Sequence, residues 1–432
     1  MQINWKSIST IALCVTSTAV FSQTGSTNYN WKAQSGKTVT FLSSNHPWAN
    51  AVLKYKPEFE TLTGITLKVD TYQEQQMRQR LVTVMNAKSD EVDVFMSLPS
   101  REGRQFQKAG WYADLKPFVA KAPADYAFND FSPALVAAET HNNVLTGIPV
   151  NLEGPVLYYR KDLFQKCGVS LPATLGEMEG VLSKLKACDA SVTPFVSRGL
   201  KGALPYTFSV FVNNNGADYL AAGKPALCSA PMKTAMAQYA NTLKNFGPPG
   251  VANYNFYQIS SLYKEGKAAI AFESSNEFRT IMEVAGRSKD TGIALLPAGP
   301  AGSKPTVIGW GVSLSNHSKN KDAAWMFVQW ATSRDMQERL ALEGIAPPRL
   351  SVARDPDFKK WIDAEPVRKD WISAVNTASK DGISKVGVPI VQNVASRDVI
   401  GQAINEILLG QKTIEQACAD GDQALAGLLA KE

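Results

Sequence analysis

Histidine is scarce. The 432 residues hold three, His46, His141 and His317, far apart and in no HExxH or i,i+4 pairing. A metal centre built on imidazoles needs ligands on one helix face or in a dense cluster, so no metal is expected. A GxSxG elbow, a GxxxxGK(S/T) phosphate loop and a GxGxxG segment after a strand are also missing. Their absence removes the usual signatures of serine hydrolases, NTPases and dinucleotide enzymes, and no cofactor is expected. The net charge of +6 is spread without a Lys/Arg block or an aromatic-interleaved basic stripe, which argues against nucleic acid as a partner.

Long apolar runs are lacking after the N-terminus. There, Lys6 precedes Ile8 to Phe21, a run too short to span a bilayer but as long as the core of a signal peptide. Val20 and Ser22 suit the −3 and −1 positions, so residues 1–22 are expected to be cleaved and the mature chain exported. A lipoprotein reading is weaker, because bulky Leu13 precedes Cys14 where a small residue is wanted. Four cysteines then remain, Cys167, Cys188, Cys228 and Cys418, with no CxxC pair. In an oxidising compartment they permit one or two disulfides, and the connectivity stays open.

A chain of this length is expected to form two domains. "TVTFLSS" alternates as a strand, and Trp48, Val52, Tyr55, Phe59 and Leu62 trace one helical face in which Pro57 makes a kink or the true start. "ITLKVDTY" and "VDVFMSL" are further strands, each with helical sequence after it. Strand–helix alternation predicts a parallel sheet whose ligands bind at the carboxyl ends of the strands, in "SSNHPW", "TYQEQ" and "SLPSRE". Residues 174–283 read as mostly helical, as does the region after Asn320.

Several stretches, in order, carry a resemblance: "FETLTGITLKVD", "QKAGWYADLKPF", "LYYRKDLFQKCGVSLP", "YKEGKAAIAFES", "GIALLPAGPAG", "GWGVSLSNHSKNKDAAWMFVQWATS" and "APPRLSV". Together they span nearly all of the mature chain. They resemble the landmarks of extracellular solute-binding proteins of ABC transporters, family 1. "TYQEQQMRQRLVTVM" and "FGPPGV" look most like the branch that takes polyols and monosaccharides.

The resemblance implies an α/β fold of the type II periplasmic-binding-protein class, two lobes with a mixed sheet each and a ligand cleft between them. Residues 37–147 with 306–347 would form one lobe and 148–305 with 348–432 the other, which places all four cysteines in the second lobe. The implied function is non-enzymatic: periplasmic capture of a sugar or polyol by a monomer, and delivery to the permease subunits of an importer in the inner membrane. The alternatives are the same fold serving a non-sugar such as a sugar phosphate or an amine, a sensor partner, and a secreted glycoside hydrolase, which needs only two suitably spaced carboxylates.

A hydroxyl-rich solute calls for planar charged groups that pair with hydroxyls, and a sugar ring also calls for a flat aromatic plate. Trp310, between Gly309 and Gly311, fits the plate, since glycines let backbone pass close to a ligand; the competing reading is inter-lobe core. Trp325 and Trp330 read instead as packing or surface on the helix that follows. Glu273 ends an apolar strand at a turn, and Glu153 lies just past an expected crossing. Arg198 matches a family position near the ligand. Glu74 opens a helix and reads as a ligand contact or as a complement to the helix dipole. His46 and Trp48 stand after the first strand, and Trp48 also fits the helix's apolar face. Asn214 and Arg349 complete the candidates, with a hinge ion pair as the other reading of Arg349. Of Tyr158 and Tyr159, successive on one strand, one at most faces the cleft. The "LKGALPYTFSVF" segment, mostly aliphatic apart from Tyr206 and Phe208, suits a ligand smaller than an oligosaccharide.

Overall fold

A computed structural model describes residues 29–432; the expected signal peptide and its cleavage site lie outside the described residues. Nine strands build the two larger sheets: β1 (Thr38–Ser44), β2 (Thr66–Tyr72), β3 (Val94–Ser97), β4 (Ile148–Pro149), β5 (Pro155–Arg160), β6 (Thr193–Val196), β7 (Ala268–Ser274), β8 (Thr291–Ala294) and β9 (Gly311–Leu314). The first sheet has the order β2-β1-β3-β9-β4, with β1 parallel to β2 and β3 and β9 antiparallel to both its neighbours. The second has the order β8-β5-β7-β6, in which only β7 and β6 are parallel. Each is therefore mixed, and the parallel reading holds for the β2-β1-β3 unit alone.

Five helices matter for the site: α1 (Pro47–Val52), α2 (Glu74–Asn86), α3 (Phe256–Lys264), α4 (Lys321–Ala331) and α5 (Asn393–Leu408). The apolar stripe from Trp48 to Leu62 is not one helix. Pro57, without an N–H to give, opens a separate helix, Lys56–Thr63, which Gly64 ends at φ 71°. The stripe still faces the core: Trp48 packs edge-on to Phe41 at 6.4 Å, and Phe59 meets Phe327 at 5.4 Å. Helix α4 is buried almost throughout, Trp325 and Trp330 included, so those two tryptophans are packing.

The described residues form two hydrophobic cores. Val150, Ile308 and Ile345 belong to the first and Leu152 and Ala346 to the second, so the chain passes between cores in the same narrow zone each time. There the segments lie side by side: Val150 N–H donates to Trp310 O at 2.9 Å, Ile308 N–H to Glu153 O at 2.8 Å, and Leu152 N–H to Ala346 O at 3.2 Å. Disulfides join Cys167 to Cys188 and Cys228 to Cys418, and both tie the second body alone. Among the described residues no helix is long and apolar enough to cross a membrane.

Candidate functional site

The loops after β1, β2 and β3 bring His46, Glu74 and Leu98 to one wall of a cavity of about 30 Å³. The carboxyl ends of the parallel strands thus face the site, as their topology requires. The opposite wall carries Arg198, Tyr206, Phe256, Ser274, Asn276, Glu277 and Arg397. The crossing segments supply the floor, with Glu153, Ile308 and Trp310.

On the first wall, Glu74 and Arg78 are one turn apart on α2 and pair at 2.6 Å, while Arg78 also makes two hydrogen bonds of 3.2 Å to Glu102. Burial raises the Glu74 carboxyl, but Arg78 and then Arg101 outweigh this and hold it at about 2. Arg101 stands 3.6 Å from Glu74, and burial lowers it to about 10. His46 is buried and driven down to about 3, so its imidazole is neutral. Its Nδ1 accepts from Trp48 N–H at 3.3 Å, which puts the ring proton on Nε2; Asn276 Nδ2 on the other wall lies 3.0 Å from Nε2, and turning that amide over would bring its unpartnered oxygen there to accept the proton. A second bond crosses the cleft, from Glu74 N–H to Tyr257 Oη at 3.2 Å.

On the second wall, Glu273 ends β7 fully buried and grips Arg198, whose Nε lies 2.9 Å from Oε2 and whose Nη2 reaches Oε1. Burial opposes the Arg198 charge, and Glu273 more than restores it. The guanidinium plane is held between Tyr206 at 4.6 Å and Phe256 at 5.5 Å. Two further carboxyls stay without a cation. Glu153 accepts from Ser274 Oγ at 3.0 Å and Asn151 Nδ2 at 3.2 Å, and burial lifts it to about 7. Glu277 accepts from Ser260 Oγ at 2.8 Å and is lifted by burial, with a contribution from Glu273, to about 8.

Trp310 lines the cavity, beside His46 at 5.1 Å and under the Arg78 guanidinium at 5.1 Å. Its glycines serve a different purpose from the expected one. A Cβ on Gly309 would stand 2.7 Å from Asn151 O and 2.8 Å from Leu135 Cδ2, and one on Gly311 would collide with the Glu139 carboxylate. They are needed for packing the crossing strand, not for a ligand's approach.

Of the expected site residues, Trp310, Glu153, Arg198, Glu74 and His46 converge on the cavity. Glu273 stands behind Arg198 and acts through it. Three expectations are corrected. Trp48 is fully buried in the first core, because the helix stripe, not the loop, decides its direction. Asn214 is tied to Pro297 O at 2.9 Å and Lys304 N–H at 2.7 Å, away from the cleft. Arg349 lies over Phe131 at 4.0 Å and donates to Thr332 O and Tyr126 O, with Asp130 at 3.5 Å. Neither tyrosine of β5 reaches the cavity: Tyr158 donates to Ser274 O at 2.8 Å and Tyr159 packs on Phe164. Asn276 and Glu277 were within reach of the strand-end argument that found Glu273. Arg397, on a helix near the C-terminus, had no local signal at all.

Comparison with known proteins accords with this geometry. Residues 45–338 match the family described as bacterial extracellular solute-binding proteins. The chain is 26% identical to the mannitol-binding protein of Pseudomonas aeruginosa, over 91% of this chain and 93% of that one. A solute-binding protein of Agrobacterium vitis with bound D-mannitol superposes with a TM-score of 0.81 at 25% identity, covering 91% of this chain and 99% of the other. One from Agrobacterium radiobacter in complex with ribitol gives the same TM-score at 24% identity, over 90% and 98% of the two chains, and speaks for the fold alone. With its two sheets, three crossings and enclosed polar cleft, this chain belongs to the bacterial extracellular solute-binding proteins of ABC transporters.

Proposed function

We propose that the protein captures a sugar or polyol in this cleft, in the periplasm after removal of residues 1–22, and hands it to an ABC permease. The observation that carries this reading is the cavity itself. Charged planar groups, carboxyls held by serines and the rings of Trp310, Tyr206 and Phe256 converge on one small space. Such a lining offers both donors and acceptors to a solute whose every hydroxyl needs one of each. The names of the relatives point the same way, since two of them are described with mannitol.

The two lobes are residues 37–147 with 306–347 and residues 148–305 with 348–432. Solute stabilises the closed arrangement by binding it better than the open one, and the crossing segments act as the hinge. A closed cleft with so little free space admits a solute only after the walls part.

The test is a thermal-shift screen and calorimetry on residues 23–432 with hexitols, pentitols, monosaccharides, disaccharides and polyamines. Solute at a hundred times Kd should stabilise the native state by about 2.7 kcal/mol. Trp310→Ala and Arg198→Ala should each weaken binding about tenfold or more, the loss expected for an aromatic or charge-assisted contact. Stabilisation by an amine alone, or turnover of a disaccharide, would overturn the assignment.

A further inference from the structure

Arg397 sits on α5, is 2% exposed and lines the cavity, yet its Nε and Nη1 have no hydrogen-bond partner among the described residues. The other cleft arginines have a carboxylate beside them, although the Arg101 Nε also lacks a hydrogen bond. Arg78 pairs with Glu74 and Glu102, Arg198 with Glu273, and Arg101 stands against Glu74. The carboxylates whose fields reach Arg397 most strongly, Glu74 and Glu102, are already held by Arg78, and the like charges of Arg101 and Arg78 bear on Arg397 as well. Glu153 and Glu277 are held by Ser274 and Ser260, and neither pairs with Arg397. Arg397 is therefore enclosed in the cleft without a carboxylate of its own. An uncompensated buried charge is costly, and an arginine with two free N–H directions suits an oxyanion.

We infer that the preferred solute carries one acidic group, a carboxylate or a phosphate, on its hydroxyl-rich body, and that Arg397 binds that group. This rests on the solute-binding reading above and narrows it. The remainder of the cavity serves the hydroxyls, and the acidic group offsets the charge of Arg397 when the cleft closes.

The experiment is calorimetry at pH 7 on residues 23–432 with three solutes that differ at one end: D-mannitol, D-mannonate and D-mannitol 1-phosphate. One of the two acids should bind at least tenfold tighter than mannitol, and which one does so separates carboxylate from phosphate. In Arg397→Gln that preference should shrink to threefold or less, because the loss of affinity falls more heavily on the acid than on mannitol. Mannitol binding as tightly as both acids in the unaltered protein overturns the inference and leaves the polyol reading intact. An equal loss for acid and neutral solute in Arg397→Gln overturns it as well. If none of the three binds, and no other sugar or polyol does, both readings fall together. The comparison in the unaltered protein needs no variant, so a poorly folding Arg397→Gln does not shield the inference.

Discussion

Glu273 shows how a residue read as a ligand contact can instead set another one. It was legible as a strand-end carboxylate meeting a cleft, but its oxygens are spent on Arg198 and the Ser274 N–H. Only the fold puts Arg198, 75 positions earlier, within its reach. Glu273→Gln should leave a buried arginine without its counter-charge and cost about 3–5 kcal/mol. Urea denaturation checks this, and a loss below about 1 kcal/mol would mean that the pair is structurally dispensable. Glu153 and Glu277 give a prediction of opposite sense. Their folded pKa values, about 7 and about 8, exceed the ordinary 4.5, so the folded state binds more protons between these limits. Their contribution is complete below about 4.5 and is lost as pH rises through 7 to 8. Stability should therefore fall from pH 5 to pH 8, and the fall should be smaller in the Glu153→Gln, Glu277→Gln double variant. A pH series of denaturation midpoints reads this directly.

 At the scale of elements, the strand β9 was legible from its glycines and apolar residues, but the reason for the glycines was not. The reason is Glu139, 8 positions before Gly147 and 172 before Gly311 in the chain, whose carboxyl would collide with a Cβ on either glycine. Burial lifts that carboxyl to about 8. Gly311→Ala should cost about 1–3 kcal/mol through overpacking, measured as a lower denaturation midpoint. The disulfides belong to this scale as well. Spacing left three pairings open, and the fold selects two that close loops of 21 and 190 residues. In the chain-entropy account, removing Cys228–Cys418 should cost about 2 kcal/mol more than removing Cys167–Cys188. Calorimetry of the two double-Ala variants tests that ranking.

For the whole molecule, the question is what holds the walls together. Among the described residues the two bodies are joined by His46 with Asn276, by Glu74 N–H with Tyr257 and by Arg279 with Glu343, and Tyr206 from the second wall packs into the first core. Tyr257 does not line the cavity, so Tyr257→Phe removes a bridge without altering the lining. The loss of one neutral hydrogen bond, about 0.5–1.5 kcal/mol, should raise Kd by roughly two- to tenfold. Small-angle scattering should show a larger radius of gyration for the unliganded variant. An unchanged radius and Kd would mean that the bridge does not bias closure.

Local pattern alone was enough for what depends on near neighbours. It placed the strands β1 to β3, a break at Pro57 that the fold resolves as a helix start, the stop at Gly64 and the ordered landmarks of the family. It also brought forward His46 and Glu74, which follow strands, and Trp310 between its glycines, while Glu153 and Arg198 came from the family resemblance. Tertiary structure decided the rest, for reasons that no local pattern encodes. Trp48 and Arg349 turned into cores because burial there outweighs exposure at a loop, and Asn214 was taken up by carbonyl and amide partners some 80 or 90 positions away. The cysteine pairing and the unmatched charge of Arg397 are sums over distant segments, and such sums exist only once the chain has closed on itself.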